Sequence, residues 1–322
     1  KNDFMRDQIN IIPLHNMGLL GANVRIAVID AGFRRLNQCS SFAHIFDDDR
    51  VIATKNFVNN NSIYDTHYHG ANVSSIMGGM LDDYHGMAPG AEYILIQSEN
   101  GSSEYLVEEY AWVAAAEYAD YMGADIINSS LGYSDFDWPE QNHTHADMNG
   151  NTTIISRAAG TAFNKGMLVV TSAGNEGNSG WTYITAPADQ PLAMTVGSVD
   201  SEGSYSSFSG IGIQEQNTKP NVVACGEGAL YVFNSEISEG NGTSYSSPVI
   251  AGAAATLFQA CPECTNQEIF DAIVQSSSTY PSSDNYTGYG IPDLMKAYTI
   301  LNGAHLMPQS FNEQLIVELY SK

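Results

Sequence analysis

The sequence predicts an α/β fold, in which a doubly wound, mainly parallel sheet is flanked by helices, for a chain of 322 residues. Two observations carry this prediction. Short aliphatic runs, such as those at 24–29 and 167–172, have the composition of strands that are buried on both faces, as in parallel sheets. Segments with helical periodicity alternate with these runs, and this alternation is typical of a parallel sheet covered by helices.

The individual elements follow from the same patterns. Strands are predicted at 24–29, 93–97, 125–130, 167–172, 193–199 and 220–224, and a hairpin opens at 230–233. Helices are predicted at 104–122, 152–165, 266–276 and 294–301. Two further helices, rich in small residues, are expected to begin near His69 and near Ser244. Segments 42–61 and 136–149 are predicted to be irregular.

Neither an internal repeat nor a linker-like boundary divides the chain, so we expect a single domain over residues 1–322. Residues 1–20 are interpreted as a lead-in segment, where a short amphipathic helix is expected. Residues 302–322 are interpreted as a C-terminal extension.

The charge balance excludes one class of partner. Thirty-six acidic residues against 12 basic ones give a formal net charge of -24. Nucleic acid is therefore not expected as a partner, because phosphate binding needs basic patches. The hydrophobic share of 43% supports a substantial core. No apolar run approaches the length that spans a membrane, and no signal peptide opens the chain.

Four cysteines do not make a disulfide framework at this length. Cys261 and Cys264 form a C-x-x-C motif, but no second pair completes a four-sulfur zinc site, so a small local disulfide is the alternative. Cys39 and Cys225 have no partner that the sequence reveals.

Three polar residues stand at the ends of predicted elements. Asp30 ends the first strand, and open α/β sheets place their sites at the carboxyl ends of their strands. Ser244 precedes a run of small residues that predicts a fully buried helix, whose N-terminus would favour a developing negative charge. His69 opens the other small-residue helix. The structural alternatives are that Asp30 caps a turn and that Ser244 caps its helix.

Together these residues point to nucleophilic catalysis. A serine hydroxyl is a poor nucleophile until a histidine takes its proton, and the histidine needs a carboxylate to hold its tautomer and stabilise its charge. Asn175 is predicted to supply a hydrogen-bond donor for the oxyanion. A zinc site from His67, His69 and His85 is the competing interpretation, although no strong ligand spacing supports it.

Four segments carry these residues and resemble motifs of the subtilisin-like serine proteases, in that family's order. They are V-I-D-A-G at 28–32, H-G-A-N-V-S-S at 69–75, S-A-G-N at 172–175 and G-T-S-Y-S-S-P at 242–248. Subtilisin itself has the chain order Asp, His, Ser. Further framework segments at 86–91, 219–224 and 288–292 are also similar, and the resemblance runs from about Gly21 to Tyr298.

The resemblance implies a three-layer subtilisin-like fold and a role for each residue. Ser244 would attack the scissile carbonyl, His69 would act as general base and then acid, and Asp30 would orient His69. Asn175 and the backbone N–H of Ser244 would bind the oxyanion. An extended substrate would lie along one edge formed by Ser130, Leu131 and Gly132 and another formed by Glu99, Asn100 and Gly101. Thr185 and Ala186 would line the base of the main side-chain pocket.

Three departures from the family pattern stand out. Ala31 follows the catalytic aspartate where Ser or Thr is usual, which removes a supporting hydroxyl. Asn72 stands where a second, non-catalytic His is common. The loop at 78–86 is shorter than in members that bind calcium tightly there, so that calcium site is not carried over. Residues 147–150 and the acidic patches are weaker calcium candidates, and no cofactor is expected to be required.

Two classes of function follow. The first is a secreted or extracytoplasmic serine endopeptidase that acts on proteins or peptides and, as in the family, is made with a propeptide that is cleaved to leave this mature form. The second is a non-catalytic protein of the same fold that binds peptides. A nucleotide-binding protein is disfavoured because no G-x-G-x-x-G follows a strand. With Thr185 at the pocket base, we expect cleavage after small or medium apolar residues rather than after Phe or Tyr.

Overall fold

The computed structural model describes residues 1–213 and 218–306, with side chains described as far as Gly303. Its strands are β1 (Arg25–Asp30), β2 (Val51–Asn56), β3 (Met80–Leu81), β4 (Tyr84–His85), β5 (Glu92–Gln97), β6 (Ile126–Ser129), β7 (Leu168–Ser172), β8 (Met194–Val199), β9 (Val222–Cys225), β10 (Ala229–Phe233) and β11 (Glu236–Gly240). Its α-helices are α1 (Asp3–Gln8), α2 (Ile12–Asn16), α3 (Ala43–Asp47), α4 (His69–Gly78), α5 (Val107–Tyr121), α6 (Ile154–Asn164), α7 (Thr243–Ala260), α8 (Asn266–Ser276) and α9 (Leu294–Leu306).

Seven strands form one parallel sheet in the order β2-β5-β1-β6-β7-β8-β9. The chain leaves β1 to build β2 and β5 on one side and then returns to add β6 on the other. The carboxyl end of β1 is therefore a topological switch point, where open parallel sheets form a crevice. The predicted doubly wound fold class is confirmed, as are the six strands expected from aliphatic runs and the hairpin of β10 and β11.

One strand of the sheet was not predicted. Segment 42–61 contains α3 and the edge strand β2, although the sequence indicated irregular structure. Among the described strands β2 pairs only with β5, through an irregular register between Val51 and Ala53, and its residues are half-buried or exposed. An edge strand needs neither a continuous aliphatic run nor regular alternation, so its sequence gives only a weak signal.

Helix α7 runs through the middle of the molecule. It packs on β6, β7, β8 and β9 and on α4, and Ala251, Ala253, Ala254 and Ala255 are fully buried. At Gly252 the helix comes so close to the loop after β4 that a Cβ atom there would lie 2.6 Å from Cβ of Met87. Small side chains thus allow the helix to be enclosed on all sides, as the run of small residues predicted.

The lead-in segment folds as two short helices, α1 and α2, rather than the one expected. Met5, Ile9 and Leu14 are fully buried in the main core, and the Asn2 side chain exchanges hydrogen bonds of 2.7 and 3.0 Å with the backbone of His85. The predicted C-terminal extension starts inside α9 and lies, from 307 onward, outside the described residues. Cys261 and Cys264 form a disulfide, whereas Cys39 and Cys225 are buried free thiols.

Candidate active site

The structure brings the predicted catalytic residues together at the carboxyl edge of the sheet. Asp30 is the last residue of β1, and His69 is the first of α4. Ser244 lies in the first turn of α7, and Asn175 follows β7. A cleft of about 240 Å³ is lined by His69, Asn175 and Ser244 together with Ala31, His67, Glu99, Glu104, Ser130, Leu131, Gly132, Ser172, Gly174, Glu176 and Thr185.

Asp30 and His69 form a hydrogen-bonded pair. His69 Nδ1 lies 2.8 Å from Oδ1 of Asp30, which also accepts the backbone N–H of Ala31 at 2.8 Å. The Asp30 carboxylate is fully buried, and its Oδ2 has no hydrogen-bond partner in the described structure. Ala31, which stands where Ser or Thr is usual in the family, has no hydroxyl that could supply a donor to this oxygen.

The pair forms because α4 approaches β1 closely. A Cβ atom on Gly70 would lie 2.6 Å from the Gly32 carbonyl oxygen and 2.9 Å from Cβ of Asp30. Only a residue without a side chain fits there, and His69 is its immediate neighbour.

The environment of His69 favours its protonated form overall. Burial lowers the pKa of His69, but the charge and hydrogen bond of Asp30, with a smaller contribution from Glu99, outweigh it and hold the pKa above the ordinary 6.5. His69 is thus suited to receive a proton and to keep it beside a carboxylate.

Ser244 does not cap its helix. The N-cap position of α7 is Gly242, and among the described residues no hydrogen bond involves the Ser244 hydroxyl. The hydroxyl lines the cleft with His69, while the Ser244 carbonyl accepts a hydrogen bond of 3.1 Å from the Ser130 hydroxyl. The Ser130 hydroxyl therefore helps to hold the first turn of α7 in place.

The amide of Asn175 is held in one orientation by Thr243. Asn175 Oδ1 accepts the backbone N–H of Thr243 at 2.8 Å and its hydroxyl at 3.0 Å. With the oxygen engaged, the NH₂ group remains as a donor. A Cβ atom built on Gly242 would lie 3.1 Å from Ser244 Oγ and 3.7 Å from Asn175 Nδ2. The serine hydroxyl and the amide nitrogen are therefore both close to the same position beside Gly242. This role of Thr243 was not predicted from the sequence, although the residue lies inside the serine motif.

Both predicted substrate edges contribute residues to the cleft lining. Leu131 and Gly132 line it directly, and the chain beyond them is held by a two-way backbone pairing between Tyr133 and Ala186. On the other side Glu99 lines the cleft, whereas the Asn100 side chain bonds Ser103 in the next turn.

His67 separates the Gly101 edge from the cleft. A Cβ atom on Gly101 would lie 2.9 Å from the His67 ring, which lines the cleft and stacks on Tyr68 with ring centres 4.4 Å apart. Its Nδ1 accepts the backbone N–H of His69 at 3.3 Å. From the sequence, His67 was a candidate only as a metal ligand.

Thr185 lies at one end of the cleft and is only 3% exposed. Its Oγ1 has no hydrogen-bond partner in the described chain, and a Cβ atom on Gly132 or Gly174 would lie 2.2 or 2.8 Å from that oxygen. Ala186 is fully buried beside it.

Glu176 lines the cleft, whereas Asp189 is not among the residues that line it. Asp189 is buried and accepts hydrogen bonds from the Ser156 hydroxyl and the Gly150 backbone at 2.5 and 2.6 Å. Its carboxylate is therefore occupied within the core.

The part of the chain that the structure describes contains no cluster of three or more His, Cys, Asp or Glu side chains arranged to hold a metal ion. His67 and His69 are neighbours, with ring centres 6.4 Å apart, but His85 lies in β4 beside Asn2. Asp147, a calcium candidate, accepts the backbone N–H and hydroxyl of Thr144, both at 2.7 Å.

Comparisons with known proteins agree with this architecture. A sequence model of the subtilase family, Peptidase_S8, matches residues 21–290. Subtilisin from Bacillus pumilus is 29% identical over 303 residues, which cover 90% of this chain and 96% of that protein. A thermostable alkaline protease from Halalkalibacterium halodurans is 30% identical over 289 residues, covering 88% and 70% of the two chains.

Solved structures show the same fold. MycP1 with its N-terminal propeptide removed superposes with a TM-score of 0.72 at 24% identity, covering 92% of this chain and 96% of that one. The prenylagaramide maturation protease PagA superposes with a TM-score of 0.70 at 21% identity, covering 91% and 98%.

Proposed function

The chain belongs to the subtilase family and is a serine-type peptidase, and we propose that it is an endopeptidase that works through Asp30, His69 and Ser244 with an acyl-enzyme intermediate. The observation that carries the proposal is the 2.8 Å contact between His69 and the buried Asp30 beside the cleft that Ser244 lines. A histidine held in one tautomer by a buried carboxylate is what activation of a serine hydroxyl requires.

The first half-reaction forms the acyl-enzyme. Ser244 Oγ attacks the scissile carbonyl carbon while His69 takes its proton, and Asp30 stabilises the resulting imidazolium. The C–N bond then breaks, and His69 returns the proton to the leaving amine. In the second half-reaction water replaces the amine, and the ester bond to Ser244 is hydrolysed.

The oxyanion of each tetrahedral intermediate needs fixed donors. Asn175 Nδ2 and the backbone N–H of Ser244 at the start of α7 are suited to this role, since Thr243 holds the Asn175 amide with its oxygen turned away. Donors oriented before the reaction stabilise the developing charge without reorganising.

A non-catalytic peptide-binding protein of the same fold is the alternative. Labelling with a fluorophosphonate, together with hydrolysis of a fluorogenic peptide, separates the two. We expect Ser244 to be labelled and Ser244→Ala to abolish both signals without changing the melting temperature. Ser201→Ala, on an exposed turn, is the matched control. A folded wild-type protein that neither reacts nor hydrolyses would contradict the catalytic proposal and favour the peptide-binding alternative.

We also propose that the protein works outside the cytoplasm. The Cys261–Cys264 disulfide supports this location, because such bonds persist in oxidising compartments. No helix among the described residues is both long and apolar enough to cross a membrane. Fractionation of producing cells, with antibody detection, tests the location, and recovery in the cytoplasm alone would contradict it.

A further inference from the structure

An acidic wall borders the cleft on the side of β5 and α5. It consists of Glu99, just after β5, and of Glu104 and Glu108 around the start of α5. Glu99 and Glu104 line the same cleft as Ser244. Glu108 is only 4% exposed, and its Oε2 has no hydrogen-bond partner in the described structure.

These three carboxyl groups oppose one another's ionisation. Burial, and then the charge of Asp30, raise the pKa of Glu99 to about 7. Burial raises the pKa of Glu104 to about 8, with contributions from Glu99 and Asp137. Burial also raises the pKa of Glu108 to about 8, and there the charges of Glu104 and Glu99 contribute in turn. Glu108 is thus close enough to Glu104 and Glu99 for their charges to act on it.

No described lysine, arginine or histidine forms an ion pair with any of the three. Glu109, the neighbour of Glu108, is different, because it is paired with His143 at 2.5 Å and accepts the backbone N–H of Ile155. The hydrogen bond to Glu99 comes from the hydroxyl of buried Tyr133, at 3.4 Å. Glu99 and Glu104 are therefore half-buried where they line the cleft, and Glu108 is buried behind the lining. Among the described residues, none of the three has the cation that buried carboxylates usually have.

We propose that the acidic wall binds a lysine or arginine side chain of the substrate, within the substrate segment that runs along the edge containing Glu99. The inference rests on the proposed function and names a substrate class for it. A cation placed between Glu99 and Glu104 gains charge-assisted hydrogen bonds in a partly desolvated site and relieves the repulsion between the carboxylates. A metal ion is the poorer occupant, because the described residues offer no cluster of ligands for one.

The test is a lysine scan of a neutral peptide that the protein cleaves at one bond. Lysine is placed in turn at each of the positions before the scissile bond, and the matched peptide carries norleucine there. We expect kcat/KM to favour lysine at one position by about tenfold or more, which is the scale of a hydrogen bond between ionised groups.

Matched variants assign that preference to the wall. The double variant Glu99→Gln, Glu104→Gln keeps the size of both side chains. We expect it to bring the ratio of kcat/KM for the lysine peptide to kcat/KM for the norleucine peptide close to one. Glu117→Gln with Asp120→Asn is the control, because it removes the same number of charges from exposed positions on one helix, α5. A double variant that retains the preference would overturn the proposal.

The pH dependence of the same ratio is a second readout. Between pH 9 and pH 6 Glu99 and Glu104 take up protons, and a neutral carboxyl no longer attracts lysine, so the ratio should fall. The groups that face them are Asp30, His69, Tyr133, Glu108 and Asp137. Any effect of pH on catalysis itself cancels in the ratio, and a purely structural role for the glutamates would leave the ratio independent of pH.

Failure of this inference is distinguishable from failure of the proposed function. Hydrolysis of the neutral parent peptide and fluorophosphonate labelling of Ser244 report the function without any lysine. Hydrolysis and labelling with no lysine preference at any position would overturn the acidic-wall proposal alone. If the folded protein shows neither hydrolysis nor labelling, the proposed function and the acidic-wall proposal are both overturned.

Discussion

His69 combines burial with a carboxylate partner, and the pH dependence of activity should show it. The base must be neutral to accept the Ser244 proton, so kcat/KM should rise with pH through the pKa of His69. Because Asp30 and Glu99 hold that pKa above 6.5, the rise should be centred above the value of an unperturbed histidine.

Profiles of kcat/KM against pH, measured with a neutral peptide, check this expectation. Glu99→Gln should shift the rise to lower pH, because it removes one of the negative charges that stabilise the imidazolium. If kcat/KM stays constant down to about pH 4, where unperturbed carboxyl groups titrate, His69 is not the base.

Asn175 has its amide oxygen bound to Thr243, so only its donor end is available to the reaction. Asn175→Ala should lower kcat with little change in KM, since the oxyanion exists only near the transition state. The expected loss of about 10²–10³ in kcat is the value known for the corresponding donor of subtilisin, and it is borrowed from there. An unchanged kcat would mean that the amide does not meet the oxyanion.

Thr185 is buried at the cleft and packs against the backbone of Gly132 and Gly174. Thr185→Gly should open space for a larger side chain and raise kcat/KM for cleavage after Phe relative to cleavage after Ala. About tenfold is expected, because one methylene is worth about 1–3 kcal/mol of discrimination. Peptides that differ only at the residue before the scissile bond measure this. If the wild-type protein already cleaves better after Phe, Thr185 does not limit the pocket.

At the scale of elements, the contact between α4 and β1 decides whether the catalytic pair forms. Gly70→Ala should destabilise the fold by about 1–3 kcal/mol, since the new methyl group would lie 2.6 Å from the Gly32 carbonyl and 2.9 Å from Cβ of Asp30. Kcat should fall as well, because the same shift would separate His69 from Asp30.

Thermal unfolding and peptide hydrolysis of Gly70→Ala measure the two effects. Gly180→Ala serves as the control, since a Cβ atom there meets nothing within 4 Å. Wild-type stability and activity in Gly70→Ala would mean that α4 can move away from β1 without cost.

At the scale of the whole molecule, a formal net charge of -24 implies self-repulsion in the folded state. Raising sodium chloride from about 0.02 M to about 0.5 M shortens the screening length well below 10 Å, so the melting temperature should rise. We expect an increase of about 2 °C or more, corresponding to about 1 kcal/mol. Sucrose at the same osmolality controls for effects unrelated to charge, and an equal rise in sucrose would contradict the electrostatic explanation.

The sequence by itself determined the fold class, six of the seven sheet strands and the candidate residues Asp30, His69, Asn175 and Ser244, which lie together at the carboxyl edge of the sheet. Aliphatic runs mark buried parallel strands regardless of their neighbours. Runs of small residues likewise predict helices that are buried on all sides. The catalytic candidates could be identified because nucleophilic chemistry needs those residue types, and because each stands inside a local motif.

Only the tertiary structure decided features that depend on distant partners. β2 is fixed as a strand by its pairing with β5, because its own sequence gives only a weak signal. Ser244 is free of a capping role because Gly242 occupies the cap position, and Asn175 is oriented by Thr243, 68 residues away. The acidic wall was invisible in the sequence for the same reason. Burial and mutual repulsion of Glu99, Glu104 and Glu108 arise only when β5 and α5 bring them to one side of the cleft.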